Sequence, residues 1–331
     1  MKKLMLSATL ALLFGTVAGA AVETTAALPY VGRWALTIPG GGAGWLGVEK
    51  NGPQWKSALL WGGGSVVPTA ETKFENGKLF VIRKHNQKKD GKDVTYVETI
   101  TCTLDGDDMK LTTRTVDETG KEVGKADFTG KRIPPLPPTP DLAKIKFGDP
   151  IPLFKKDSIE GWELMEKDAA NGWSMKDGVL SNRVKGPDGK NRHCSNIRTT
   201  QTFEDFNLKT EVRMLPGGNS GIYLRGIYEI QMADTFGRPV DSHNMCGLYS
   251  RITPSEAAEK PAGEWQTVDV TLCDRHLTVI LNGKKIIDNK PILGCTGGAL
   301  TSDEFKPGPI YLQGDHSDVD YRNMVLTPIV K

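Results

Sequence analysis

Gly217-Gly218-Asn219-Ser220-Gly221-Ile222-Tyr223-Leu224-Arg225-Gly226-Ile227-Tyr228-Glu229-Ile230-Gln231-Met232-Ala233-Asp234 opens as a glycine turn and continues as two short strands bent at Gly226. In the first strand Ile222 and Leu224 fall on one face, Tyr223 and Arg225 on the other. In the second, Tyr228, Ile230 and Met232 share a face, while Glu229 and Gln231 share the opposite one. Such period-2 alternation lets one face build a core and the other show polar groups, as in an antiparallel sheet with one open face. Solvated faces usually carry interchangeable Lys, Glu, Thr and Ser. Here Arg225, Glu229, Gln231 and Asp234 stand together, a set that fits a site as well as it fits an ordinary wet face.

The same patterning extends outward from this stretch. Phe206 to Met214 alternates, with Leu208, Thr210, Val212 and Met214 opposing Lys209, Glu211 and Arg213. Trp265 to Leu272 and His276 to Leu281 follow, and Asn282-Gly283 is a strong hairpin signal because both turn positions need positive φ. Helix signals are nearly absent; Ser255 to Glu259 is expected as one short turn. So many short strands call for two packed antiparallel sheets, a jelly-roll sandwich.

Residues 28–132 read as a separate all-β domain, a small sandwich or barrel, because Gly-containing turns recur between short strand-like runs. Trp34, Trp45, Trp55 and Trp61 fit its core better than an aromatic ligand platform. Ile133-Pro134-Pro135-Leu136-Pro137-Pro138-Thr139-Pro140 is an extended, stiff segment, which places a linker at 133–145. The expectation is that residues 146–331 fold alone and carry the activity.

The chain holds 331 residues with 42 basic and 40 acidic side chains, a net charge of +2, so it lacks the concentrated basic surface that nucleic acid needs. Lys2-Lys3, the apolar run Leu4 to Val17 and Ala18-Gly19-Ala20 read as a signal peptide over residues 1–20. Export, to a periplasm or the medium, is therefore expected. No later apolar run approaches the roughly 20 residues that cross a bilayer. Export makes disulfides among Cys194, Cys246, Cys273 and Cys295 possible in any of three pairings, with free buried thiols equally compatible; Cys102 stands apart.

Several blocks carry a resemblance. They are Gly161-Trp162, Asp177-Gly178-Val179-Leu180, Asp205-Phe206-Asn207-Leu208, Gly218-Asn219-Ser220-Gly221-Ile222, Tyr228-Glu229-Ile230-Gln231, Leu281-Asn282-Gly283, and Leu312-Gln313 with His316 and Tyr321-Arg322-Asn323. In this order, over about residues 150–329, the chain resembles the 3-keto-disaccharide hydrolase family. The resemblance implies a concanavalin-like jelly roll, related to laminin-G and glucanase sandwiches, acting on 3-keto-glycosides. A C3 ketone acidifies the C2 hydrogen; its removal gives an enolate that expels the C1 oxygen, and water then adds. This route needs a base, an acid and a donor for the enolate oxygen, not the opposed carboxylates of ordinary glycosidases.

On that chemistry Glu229 or His316 is the expected base, Arg225 and Gln231 hold the enolate, and Asp234 tunes a neighbour. Asn219, Gln313 and Asp315 lie in the matching blocks and are expected to contact sugar. Tyr249, Lys260 and Arg322 are further candidates, Tyr249 to stack on a ring and Lys260 to offer charge, while Arg322, between Tyr321 and Asn323, is expected rather to pin strands together. Asp315, Asp318 and Asp320 admit a divalent cation, calcium or another, without the EF-hand spacing. Glu229, Asp234 and His316 form a second possible ion set. His193 and His243 are loop residues without an evident partner, and His276 a wet strand position. A carbohydrate-binding sandwich without catalysis and a conventional two-carboxylate glycosidase remain as other readings.

Overall fold

The computed structural model describes residues 27–89, 91–186 and 188–330; the expected signal peptide lies outside the described residues. Among them the regular structure is strand apart from one 3-10 turn, Leu28–Tyr30. The short turn expected at Ser255–Glu259 is not formed: Ser255 and Glu256 make a bend, and 257–259 take no regular structure. Its Pro254-Ser255 start caps no apolar repeat, so nothing drives a helix to form there.

Two compact units emerge. One comprises residues 27–34, Leu46–Ala58 and Pro68–Arg132; the other comprises Ala35–Trp45, Leu59–Val67 and residues 133–330. The strands of the first half form one nine-stranded sheet that runs from Val67–Pro68 to Glu71–Glu75, strands that are neighbours in the chain. Ser57, on the Gln54–Trp61 strand, hydrogen-bonds both Thr69 and Thr72 at 2.7 Å. The strand next to one edge therefore bonds to the strand at the other edge, and the sheet curls round into a barrel with few unpaired edges. Trp34 is fully buried there under the Arg132 guanidinium, a core residue rather than a ligand platform.

The second unit holds two antiparallel sheets. The larger runs Trp173–Lys176, Val179–Asn182, Val319–Val330, Phe206–Met214, Gln266–Cys273, His276–Leu281, Lys284–Pro291, with Lys146–Phe147 and Ile151–Pro152 also pairing to Val319–Val330. The smaller runs Trp162–Leu164, Ile197–Thr199, Tyr311–Leu312, Asn219–Leu224, Tyr228–Ala233. Ile222, Leu224, Tyr228, Ile230 and Met232 are almost fully buried, each worth about 1.5–3 kcal/mol of burial. Ser220, of the same parity as Ile222, reaches Tyr321 of the larger sheet at 3.0 Å, which fixes this face as the inner one. The architecture is a jelly-roll sandwich.

Local turns follow the expected chemistry. Asn282 and Gly283 take φ of 51° and 82°, as a type I′ hairpin demands. The prolines at 134–140 are not a free spacer: the Pro135 carbonyl accepts from Arg275 at 2.8 Å and the Pro140 carbonyl from Asn289 at 2.9 Å. All five cysteines are free and buried. His276 is 3% exposed, contrary to its reading as a wet position, and its Nδ1 lies 2.9 Å from the Asp274 carbonyl.

Candidate active site

Arg225, Gly226 and Ile227 form the turn between the Asn219–Leu224 and Tyr228–Ala233 strands, so the expected bend is the tip of a hairpin. Tyr223 then pairs with Glu229, and Gly221 with Gln231, on the face turned away from the core. That face is not open to water as the alternation implied. Glu229 is 4% exposed and Gln231 5%. Residues 246–249 bond along the edge of the Tyr228–Ala233 strand, Gln231 N–H to the Gly247 carbonyl and Tyr249 N–H to the Glu229 carbonyl. Thr296 accepts from the Glu229 N–H at 2.9 Å.

What remains is a pocket of about 340 Å³. Its floor carries Glu229, Gln231, Asn219 and Tyr223, and Gln313, Asp315 and His316 enter from the segment after Tyr311–Leu312. Glycines make the room: a Cβ on Gly221 would lie 2.6 Å from the Glu229 carboxyl, and one on Gly298 would lie 2.5 Å from the Tyr223 hydroxyl. Tyr223 stacks on Tyr311, ring centroids 4.1 Å apart. The Gln231 side-chain amide donates to Asn219 Oδ1 at 3.1 Å, and Gln231 Oε1 and Gln313 Oε1 are buried with no partner among the described residues. Sugar hydroxyls are natural donors to such acceptors.

Burial pushes the Glu229 carboxyl up to about 8, against opposing pulls from the Tyr223 hydroxyl and the His316 charge. The hydrogen bond that His316 Nδ1–H donates to the Asp315 carboxylate at 2.6 Å raises His316, with burial opposing. Burial also pushes Asp315 up, but the His316 hydrogen bond and charge outweigh it and hold it below the usual carboxylate range. An Asp-held imidazole beside a carboxyl poised near neutral pH can exchange protons with a bound molecule in both directions.

Glu229, His316, Asn219, Gln231, Tyr249, Gln313 and Asp315 are thus brought together, and four expected residues are not. Arg225 has φ of 55° and sends its guanidinium to the carbonyls of Glu304 at 2.7 Å and Lys306 at 2.5 Å. As a turn residue it leaves the strand alternation that seemed to aim it at the site. Asp234 accepts from the Gly217 N–H at 2.9 Å and closes the turn at the other end of the hairpin. Arg322 pairs with Glu211 at 2.6 Å and lies over Trp265, pinning strands of the larger sheet. Lys260 donates to the Trp265 carbonyl at 3.0 Å. With Asp234 elsewhere, the ion set with Glu229 and His316 is broken up. The Asp315, Asp318, Asp320 loop is spoken for as well. Asp320 sits between Arg183 and Arg213, and Asp318 accepts from the Val184 N–H at 2.8 Å.

Six lining residues escaped the sequence reading: Tyr311, Met165, Glu166, Asn196, Gly298 and Gly63. Tyr223 was legible, since it shares the parity of Glu229 across the hairpin. Glu166 and Asn196 meet only because Leu164 pairs with Ile197; Asn196 donates to Glu166 at 3.2 Å, and His193 pairs with the same carboxylate at 3.2 Å. His243 also gains partners, Ser65 at 3.0 Å and the Tyr249 ring edge-on at 4.9 Å.

No curated protein matches the chain. Among solved structures, a glycosyl hydrolase candidate from Parabacteroides distasonis is 26% identical over 59% of this chain and 93% of its own, with a TM-score of 0.43. A second such structure from that organism is 19% identical over 55% and 94%, TM-score 0.43. A carbohydrate-binding module from Bacillus subtilis is 12% identical over 50% and 93%, TM-score 0.33. A family model described as the 3-keto-alpha-glucoside-1,2-lyase-like domain matches residues 149–327, more than half of the sequence, and the chain belongs to that family.

Proposed function

We propose that this protein is a hydrolase or lyase that cleaves 3-keto-glycosides, 3-keto-disaccharides among them, by elimination followed by hydration. The observation that carries this reading is the buried Glu229 carboxyl, pushed up to about 8, in one pocket with the Asp315–His316 pair. Glu229 takes the C2 proton, and the C–H electron pair becomes the enolate of the C3 ketone. The amide N–H groups of Asn219 and Gln231 receive the enolate oxygen in place of Arg225. Collapse of the enolate breaks the C1–O bond, and His316, as imidazolium, gives its proton to the departing oxygen. Water then adds its oxygen to C1 of the resulting enone and gives a proton to the neutral His316, while the proton on Glu229 returns to C2, so both groups regain their starting state. A base tuned upward by burial is the arrangement that such proton abstraction calls for.

The same reading includes export, resting on the basic start, apolar run and Ala18-Gly19-Ala20 of residues 1–20. It places the active unit at residues 133–330 together with the two segments 35–45 and 59–67 that pack in the same unit. Incubating the purified protein with a 3-keto-disaccharide and with its unoxidised parent side by side is the test. Release of free sugar from the first alone supports the reading; equal turnover of the parent points to a conventional glycosidase, and binding without turnover to a carbohydrate-binding sandwich.

A further inference from the structure

The matched family region begins at residue 149, yet Gly63 lines the pocket. It belongs to Leu59–Val67, a segment far away in sequence but within the same compact unit. Three sets of bonds fix the loop that carries it. Gly298 N–H donates to the Gly62 carbonyl at 3.3 Å. Ser65 Oγ bonds His243 Nε2 at 3.0 Å and reaches the Tyr249 hydroxyl at 3.4 Å. Val66 N–H donates to Ser250 Oγ at 2.7 Å. Gly62 takes φ of 64°, a left-handed conformation that glycine adopts without strain.

The pocket changes character along the smaller sheet. Its buried acceptors without partners, Gln231 Oε1 and Gln313 Oε1, and the polar Glu166 and Asn196 lie from the Tyr228–Ala233 strand towards the Trp162–Leu164 edge. At the edge of the Tyr228–Ala233 strand stands the Tyr249 ring, whose hydroxyl Ser65 of the Gly63 loop reaches at 3.4 Å, while Gly298 lies against the Tyr223 hydroxyl. The first end can hold the hydroxyls of one ring in one orientation. The second offers a ring face and backbone, which suit a group that varies from substrate to substrate.

We infer that the Gly62–Ser65 loop is the outer wall of the leaving-group subsite and sets how large an aglycone the enzyme accepts. This rests on the proposed reaction, with the oxidised ring at the amide-rich end and the second sugar against the loop. Gly63 is a clean probe, because a Cβ placed there meets no atom within 4 Å, so a side chain added at this position leaves the backbone into open space.

The experiment uses the full chain, as wild type, Gly63→Ala and Gly63→Trp, with a 3-keto-disaccharide and the corresponding methyl 3-keto-glycoside. Gly63→Trp is expected to raise KM for the disaccharide by at least about tenfold, the cost of one badly overlapping side chain, and to leave the methyl glycoside within about threefold. Gly63→Ala should fall between, with Tm unchanged in both. Equal effects on the two substrates, or none on either, would overturn the assignment. If the wild type cleaves neither compound, the reaction is what fails. Calorimetric Kd values for the same two compounds on the same three proteins then decide the loop, by the same contrast between large and small aglycone.

Discussion

Two acidic groups of the jelly roll, Glu229 and Asp320, are nearly sealed from water, 4% and 1% exposed, and they have opposite fates. Asp320 lies between the guanidinium groups of Arg183 and Arg213, each at 2.7 Å, and accepts from Ser181; these contacts outweigh its burial and keep it below the usual carboxylate range. Glu229 has only a tyrosine hydroxyl and a more distant imidazole to offset its burial, and rises to about 8. In the sequence both stand in alternating strands among Arg, Gln and Glu. The difference teaches that a charged strand face becomes a site only where the fold withholds the counter-charge.

The largest expected effect tests the reactive side of this contrast. Glu229→Gln and His316→Ala should each lower turnover of a 3-keto-disaccharide at least about a hundredfold, the loss typical of a general acid or base. Circular dichroism should show both folded; near-normal kcat in either would remove that residue from the mechanism.

Next comes the structural side. Asp320→Asn should cost about 1–3 kcal/mol, less than a fully sealed pair because the arginines are 43% and 37% exposed. Denaturant melts measure it, and kcat per folded molecule should stay at the wild-type value. A fall in kcat with unchanged stability would dissolve the distinction between the two carboxylates.

A smaller effect sharpens it. Because the folded-state value of Glu229 is raised, its contribution to stability is fully present below the unfolded value of about 4.3 and is lost as pH rises to about 8. Glu229→Gln, neutral at every pH, should therefore match the wild type in Tm near pH 4 and exceed it at pH 8.5. The smallest effect belongs to Lys260→Met, expected to change kcat/KM less than about twofold because Lys260 bonds the Trp265 carbonyl outside the pocket.

Residue alternation was enough to place Glu229, Gln231 and Tyr223 on one face, since a strand obeys its period whatever it packs against. It failed at Arg225 because the chain turns there with positive φ, and at Asp234 because a turn N–H captured the carboxylate. Lys260 misled for another reason: a charged loop side chain looks the same whether it faces substrate or, as here, the Trp265 carbonyl, whereas Arg322 does pin strands, through Glu211.

The sequence by itself determined the all-β class, the I′ turn at Asn282-Gly283, the family blocks and most of the pocket floor, because these rest on local periodicity and turn sterics. Only the tertiary structure decided that the polar face is covered, that Asp315 holds His316, that Glu166 meets Asn196, and that Gly63 joins a pocket built mainly from residues 165–316. Each of these depends on groups far apart in the chain sharing one small volume. Burial and the choice of charge partner are properties of that volume, and no local stretch of sequence contains them.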